Sequence, residues 1–309
     1  MTNVADKKPE VALALGSGGA RGMAHIGVIE VLEQEGFRIT HVAGSSMGAA
    51  VGGIYCAGHL AAFRQWAVAL TQYETFRLMD FTFSGQGMIK GHKVMQAKRG
   101  MMGQNPEIAD FRTRFTAVAT DAISKEEVWL NSGNLFDVMR ASSAIPTLLT
   151  PVRSGARLLI DGGVLNPLPI EPLLPLDGRL LVVVNINAPD NPELKTLTEE
   201  EPTTSQEMEK VADDYRTRMY TSVRSWLNMR SQPTEKTEAT LGYFGLLNKS
   251  FDMMQDRLCQ RAIELHRPDI VIEIPRNVGT TLEFYRAADL IEEGRRAATR
   301  AVENWRAGQ

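Results

Sequence analysis

Six short apolar runs recur along the chain with stretches of helical periodicity between them, and that alternation limits the available folds more than any single motif. The runs are VALAL (11–15), HVA (41–43), FTAVAT (115–120), RLLI (157–160), LLVVVNI (180–186) and DIVIEI (269–274). Their near-continuous hydrophobicity is the pattern of strands covered on both faces. Residues 21–35, 47–58, 61–72 and 135–143 carry apolar positions three and four apart, the spacing of helices with one buried face. Strands and helices in alternation build a largely parallel sheet covered by helices, so the expected class is an α/β layered fold.

With 309 residues and 43% of them hydrophobic, the chain can bury the core of one large domain or two small ones. A net charge of -3 without a basic block argues against nucleic acid as a partner. Cys56 and Cys259 are too few and too far apart for a disulfide framework or a zinc site, and are expected as reduced, buried thiols. The N-terminal MTNVADKKPE is polar and no run of about 18 apolar residues occurs. A soluble, cytoplasmic protein is expected, with peripheral membrane contact left open because it needs only an amphipathic face.

The expected organisation is a polar tail at 1–10, a catalytic core at 11–187, an exposed linker at 188–204 and a C-terminal helical region at 205–309. That last region carries the strand at 269–274 and packs on the core. Within it Met208, Val211, Tyr215, Met219, Val223 and Trp226 fall at helical spacing. They suit packing on the body or on a second copy of the chain, a homo-oligomer, in preference to a membrane-binding face. Residues 75–105 mix aromatics, methionines and glycines without one period. A long irregular segment beside a site is often a lid or binding loop, and Phe76, Phe81, Phe83 and Met88 are its candidates for lining a substrate pocket.

VAGSSMGAAVGG (42–53) contains Gly44, Ser46 and Gly48 in the spacing GxSxG, with Ser45 and Met47 completing the turn. An apolar run precedes it and a helical run of small residues follows. That is the context of a nucleophile elbow, where small flanking residues let the chain bend and expose a serine hydroxyl. A glycine-rich turn with a passive serine has the same spelling. A serine hydroxyl also needs a partner to take its proton.

The first strand runs into Gly16, Ser17, Gly18, Gly19, Ala20, Arg21 and Gly22 and then into a helix. A dinucleotide site would look similar, but Arg21 stands where the third glycine belongs, the next strand ends without the acidic residue that holds a ribose, and the P-loop ending is absent. No cofactor is expected. If the loop lies beside Ser46, the amides of Gly18 and Gly19 and the field of the following helix form an oxyanion hole.

Of the five histidines, His25, His41, His59, His92 and His266, only the last comes late enough for a Ser, acid, His order, and it sits at a helix end ahead of a strand. Asp161 is the better base. It ends a short strand and is followed by Gly162 and Gly163, which keep side chains away from an approaching group. Burial would raise its pKa toward the range useful for a general base. An ordinary Asp-Gly turn is the alternative.

Four ordered blocks, LGSGGARGMAHIGVI, VAGSSMGAAVGGIYCAG, MRASSAIPTLLTPV and DGGVLNPLPIEPL, span about residues 10–175. In them the chain resembles the patatin-like phospholipases, the family that includes plant patatin and the catalytic domain of neuropathy target esterase. The resemblance implies a three-layer α/β/α sandwich and a Ser46–Asp161 dyad without histidine. It also implies an oxyanion hole at Gly18, Gly19, Ala20 and Arg21. Family members usually have glycine where Ser17 stands, and Arg21 matches their basic residue, which either steers an anionic head group or fixes the loop.

The expected function is a serine acyl hydrolase for lipid carboxylic esters, of phospholipase A or lysophospholipase type. No metal is expected, since no clustered carboxylate loop has calcium-ligand spacing. A general carboxylesterase or thioesterase is the nearest alternative, and a non-catalytic scaffold on the same fold is the alternative of another class.

Overall fold

The computed structural model describes residues 8–78, 106–146, 148–192 and 243–309, without the side chains of 76–78, 243–245, 247 and 248. The strands are β1 (Glu10–Leu15), β2 (Arg38–Ser45), β3 (Arg114–Asp121), β4 (Glu126–Leu130), β5 (Val152–Ser154), β6 (Arg157–Asp161), β7 (Leu180–Ala188) and β8 (Ile270–Pro275). The helices are α1 (Ala24–Gln34), α2 (Met47–Cys56), α3 (Leu60–Val68), α4 (Gln72–Leu78), α5 (Leu135–Ser142), α6 (Tyr243–His266) and α7 (Ala287–Ala307).

The strands form one sheet in the order β5-β6-β3-β2-β1-β7-β8, with β4 also paired to β3. Five of them, β3, β2, β1, β7 and β8, run parallel. Strands β4, β5 and β6 are antiparallel additions around β3. Each of the six expected strands is present, and HVA is the middle of the eight-residue β2.

Side chains on successive strand residues face opposite ways, and the two faces are covered differently. On one face Ala12, Ala14, Ala43, Leu181 and Val183 pack with Leu168, Ile170, Leu173 and with Cys259 of α6. On the other, α2 lies so close that a Cβ on Gly52 would sit 2.8 Å from Val42 Cγ1 and 3.1 Å from Leu15 Cδ1. Helices α1 and α7 cross beside it, where a Cβ on Gly294 would meet the Ala24 carbonyl oxygen at 2.0 Å. Helices thus cover both faces of a mostly parallel sheet, an α/β/α sandwich.

Two compact units divide the chain, residues 1–191 with 255–309, and 192–254. The first holds the whole sheet, because β8 pairs with β7 at its edge. Among the described residues the second consists of little more than the start of α6. Cys56 is half-buried and Cys259 buried, and neither is in a disulfide.

Two features depart from the sequence expectations. Residues 72–78, partly assigned to an irregular segment, form α4. Its start is a capping box: Thr71 Oγ1 accepts from the Glu74 amide (3.1 Å) and Glu74 Oε2 accepts from the Thr71 amide (2.9 Å). The second is the pair of short strands β4 and β5, which are not among the six expected runs. The amphipathic face from Met208 to Trp226 and most of the 188–204 linker lie outside the described residues.

Candidate active site

The turn between β2 and α2 carries Ser46 at φ 56°, ψ -120°. A serine held at positive φ costs on the order of 1–3 kcal/mol, so the surroundings must enforce it. Packing does so on two sides. A Cβ on Gly44 would fall 2.4 Å from the Gly48 carbonyl carbon, and one on Gly48 would fall 2.1 Å from the Leu15 carbonyl oxygen. Hydrogen bonds fix the rest. The Ser46 amide donates to Ser142 Oγ (3.0 Å), which itself donates to the Val118 carbonyl (2.6 Å). Ser45 turns the other way, its Oγ donating to the Asn166 carbonyl (2.6 Å). Ser142 and Asn166 are site residues that sequence reasoning misses, although both lie inside the quoted blocks.

Asp161 reaches this turn through the pairing of β3. Strand β2 pairs with β3 up to Ser45, opposite Val118, and β6 pairs with β3 from Leu159 to Asp161, which lies opposite Ala119. Because β4 pairs with residues 117–121 along one edge of β3, β6 must share the other edge with β2. The two strands run in opposite directions and meet end to end, one register position apart. Gly162 fits at the junction only without a side chain, since its Cβ would lie 2.1 Å from the Val118 carbonyl oxygen and 2.9 Å from Ser45 Oγ.

The Asp161 carboxylate is 2% exposed. Its Oδ1 accepts from the Gly163 amide (2.7 Å), while Oδ2 is buried without a hydrogen bond of ordinary geometry. Burial pushes its pKa up to about 6, with the Ser46 hydroxyl and the Gly163 amide pulling it back toward the ionised form. Ser46 is therefore near enough to favour the charged carboxylate, although no hydrogen bond of ordinary geometry joins the two groups.

The glycine loop is fastened beside the elbow, where a Cβ on Gly22 would meet Met47 Cβ at 2.4 Å. Among the described residues the amides of Gly18 and Gly19 donate to no acceptor, and Gly19 sits at φ +59°, which a glycine adopts without strain. Ala20, expected among the oxyanion donors, is already spent: its amide donates to the Thr281 carbonyl (2.9 Å). The Arg21 guanidinium is 4% exposed and donates to the carbonyls of Ile186 (3.2 Å) and Gly279 (3.3 Å) and to Asn187 Oδ1 (3.1 Å). It binds the loop to β7 and to the segment after β8, so its side chain does not face a head group.

No histidine among the described residues hydrogen-bonds to Ser46 or Asp161. His25 is buried, with Nε2 2.8 Å from the Gly16 carbonyl, and burial lowers its pKa to about 4, so it is neutral. His41 contacts Thr40, His266 pairs with Glu171, and His92 lies outside the described residues. So do Phe81, Phe83 and Met88, and Phe76 is described only as part of the α4 backbone.

The family pattern described as Patatin-like phospholipase matches residues 13–174, just over half the chain. An "uncharacterized NTE family protein" of Mycobacterium bovis is 34% identical over 96% of this chain and 92% of its own. "Patatin-like phospholipase domain-containing protein 6" of Homo sapiens is 28% identical over 60% of this chain but 14% of its own, and "Lysophospholipase NTE1" of Debaryomyces hansenii is 28% identical over 59% and 12%. This chain is thus comparable to only a small part of those two proteins. From the motifs at the C-terminal ends of β1, β2 and β6 and these matches together, the chain belongs to the patatin-like phospholipase family.

Proposed function

We propose that the chain is a serine acyl hydrolase for lipid carboxylic esters, of phospholipase A or lysophospholipase type, working through a Ser46–Asp161 dyad. The family supports a lipid-ester hydrolase, and the named human and yeast relatives point toward phospholipid or lysophospholipid. The single observation that carries the dyad is the buried, unengaged Oδ2 of Asp161 beside a serine held in a strained turn.

Asp161 takes the Ser46 hydroxyl proton as Ser46 Oγ bonds to the ester carbonyl carbon. The carbonyl oxygen becomes an oxyanion, for which the unspent amides of Gly18 and Gly19 and the N-terminal end of α2 are the available donors. Collapse of this intermediate breaks the bond to the alcohol, which leaves with the proton returned by Asp161. Water then repeats the sequence on the acyl-enzyme: Asp161 accepts its proton, the new oxygen bonds to the acyl carbon, and Ser46 departs reprotonated with the fatty acid released. A pKa near 6 leaves the carboxylate mostly ionised at neutral pH yet more basic than an exposed aspartate, the compromise a general base requires.

The test is hydrolysis of p-nitrophenyl esters and of phospholipids by Ser46→Ala, with Ser45→Ala as control. Loss of turnover in the first and its retention in the second supports the proposal. The reverse pattern overturns the assignment of the nucleophile.

A further inference from the structure

A clamp holds the residues that follow Asp161. Gln255 of α6 is 5% exposed, and its Nε2 donates to Ser17 Oγ (3.0 Å) and to the Gly163 carbonyl oxygen (3.1 Å). That carbonyl can only accept, which fixes the orientation of the amide. Ser17, 1% exposed, is itself anchored by its backbone. Its amide donates to the Pro167 carbonyl (2.8 Å) and its carbonyl accepts from Asn187 Nδ2 (2.7 Å).

Gly163 fills the space between these groups and the base. A Cβ there would lie 2.5 Å from Ser17 Oγ and 2.7 Å from Gln255 Nε2, so no side chain fits. A glycine puts little restriction of its own on φ and ψ, and its two peptide groups have to be held from outside. One is held where the Gly163 amide donates to Asp161 Oδ1 (2.7 Å). The other is held where Gln255 Nε2 donates to the Gly163 carbonyl oxygen (3.1 Å). The first peptide is also held through its Gly162 oxygen, which accepts from the Leu165 (3.2 Å) and Asn166 (2.9 Å) amides, and with Gln255 holding the second, the torsions of Gly163 between them are fixed in part by a side chain far along the sequence.

We propose that Gln255, with Ser17, is a positioning residue for Asp161, fixing the Gly163 peptide so that the carboxylate keeps Oδ2 toward Ser46. The proposal rests on the reading of Ser46 and Asp161 given above. A carboxamide suits the task. Its Nε2 carries two hydrogens, both used here, and it brings no charge into a dry site that already holds a carboxylate. A lysine would add a positive charge, and an ionised glutamate could donate nothing.

The influences on the ionisation of Asp161 are burial, the Ser46 hydroxyl and the Gly163 amide, with no charged side chain among them. Loosening Gly163 weakens the bond from one of the two groups that favour the carboxylate. The acid limb of the reaction then moves to higher pH, a change that simple loss of packing does not produce.

The experiment measures the second-order rate of fluorophosphonate labelling of the full chain between about pH 5 and 9, for wild type, Gln255→Met, Ser17→Ala and Asp161→Asn, with thermal unfolding of each. Gln255→Met is expected to move the acid limb up by roughly half a unit to one unit and to label about tenfold more slowly at pH 7. Ser17→Ala, which removes one of the two anchors, shifts the limb in the same direction by a few tenths. An unmoved limb in Gln255→Met, whatever its rate or Tm, overturns the positioning role. If that variant does not fold, the limb of Ser17→Ala decides. Labelling of Asp161→Asn at the wild-type rate would instead overturn the dyad, so the two failures are distinguishable.

Discussion

Asp161→Asn is expected to make the protein more stable as it abolishes turnover, and to do so only above the acid range. Burial raises the folded-state pKa of Asp161 from 3.8 to about 6, even after Ser46 and Gly163 pull it partly back. One pKa unit corresponds to about 1.4 kcal/mol, so keeping the carboxylate ionised in this site costs about 3 kcal/mol. The sign follows from linkage. An acid whose pKa is higher in the folded state binds its proton more tightly there, so folding is favoured at low pH and the penalty grows as pH rises. The penalty is absent below 3.8, develops up to about 6 and is complete above it. Asparagine has nearly the same shape, carries no charge and keeps an oxygen for the Gly163 amide. At pH 8 the variant is expected to gain up to about 3 kcal/mol, a Tm rise of roughly 5 °C, while at pH near 3.5 the two proteins melt together. Thermal unfolding followed by circular dichroism at both pH values measures this. A variant no more stable than wild type at pH 8, or equally stabilised at both, would refute the claim that a dry site is what makes Asp161 basic.

The same carboxylate sets the rate profile: log kcat/KM for a soluble ester is expected to fall with unit slope below about pH 6, and an inflection near 4 would mean that Asp161 is solvated in solution. Ser142→Ala removes the oxygen joining the Ser46 amide to the Val118 carbonyl and leaves both groups short of a partner. It is expected to cost about 2 kcal/mol of stability and about 10- to 100-fold in kcat, read by denaturant unfolding and ester turnover. Phe81 and Phe83 lie outside the described residues, and their assignment rests on composition. Changing both to Ser is expected to penalise long-chain esters over short ones by up to about 0.8 kcal/mol per methylene no longer buried. Equal losses on both would count against an acyl pocket.

Ser46 is readable in the sequence because the approaches that exclude a side chain leave glycine at 44 and 48, and of these the close pass of Gly44 to Gly48 is local while that of Gly48 to Leu15 is made across the sheet. Asp161 is readable through Gly162 and Gly163, although the groups that demand glycine there, Val118, Ser45, Ser17 and Gln255, are all distant in sequence. What brings the two together is not readable. Strands β4 (EEVWL) and β5 (VRS) are short and antiparallel; β4 opens on two glutamates and buries only Val128, and β5 has a single apolar residue, so neither reads as a strand covered on both faces. The end-to-end meeting of β2 and β6 on one edge of β3 is a fact of tertiary pairing. Ser142 is an ordinary helix-end serine until its partners, 24 and 96 positions away, are known. The spent amide of Ala20 and the inward turn of Arg21 likewise depend on residues beyond 185. The capping box at Thr71 and Glu74 is a local signal that a search for apolar periodicity passes over.

The central claim is that Asp161, without histidine, activates Ser46, and the most direct test is kcat for ester hydrolysis in Asp161→Asn beside the single Gln variants of His25, His41, His59, His92 and His266. The amide cannot accept the serine proton, so Asp161→Asn is expected to lose about 1,000-fold or more in kcat with little change in substrate binding. Each folded histidine variant is expected to keep substantial activity. One well-folded histidine variant as inactive as Asp161→Asn, or an Asp161→Asn variant within tenfold of wild type, would contradict the dyad.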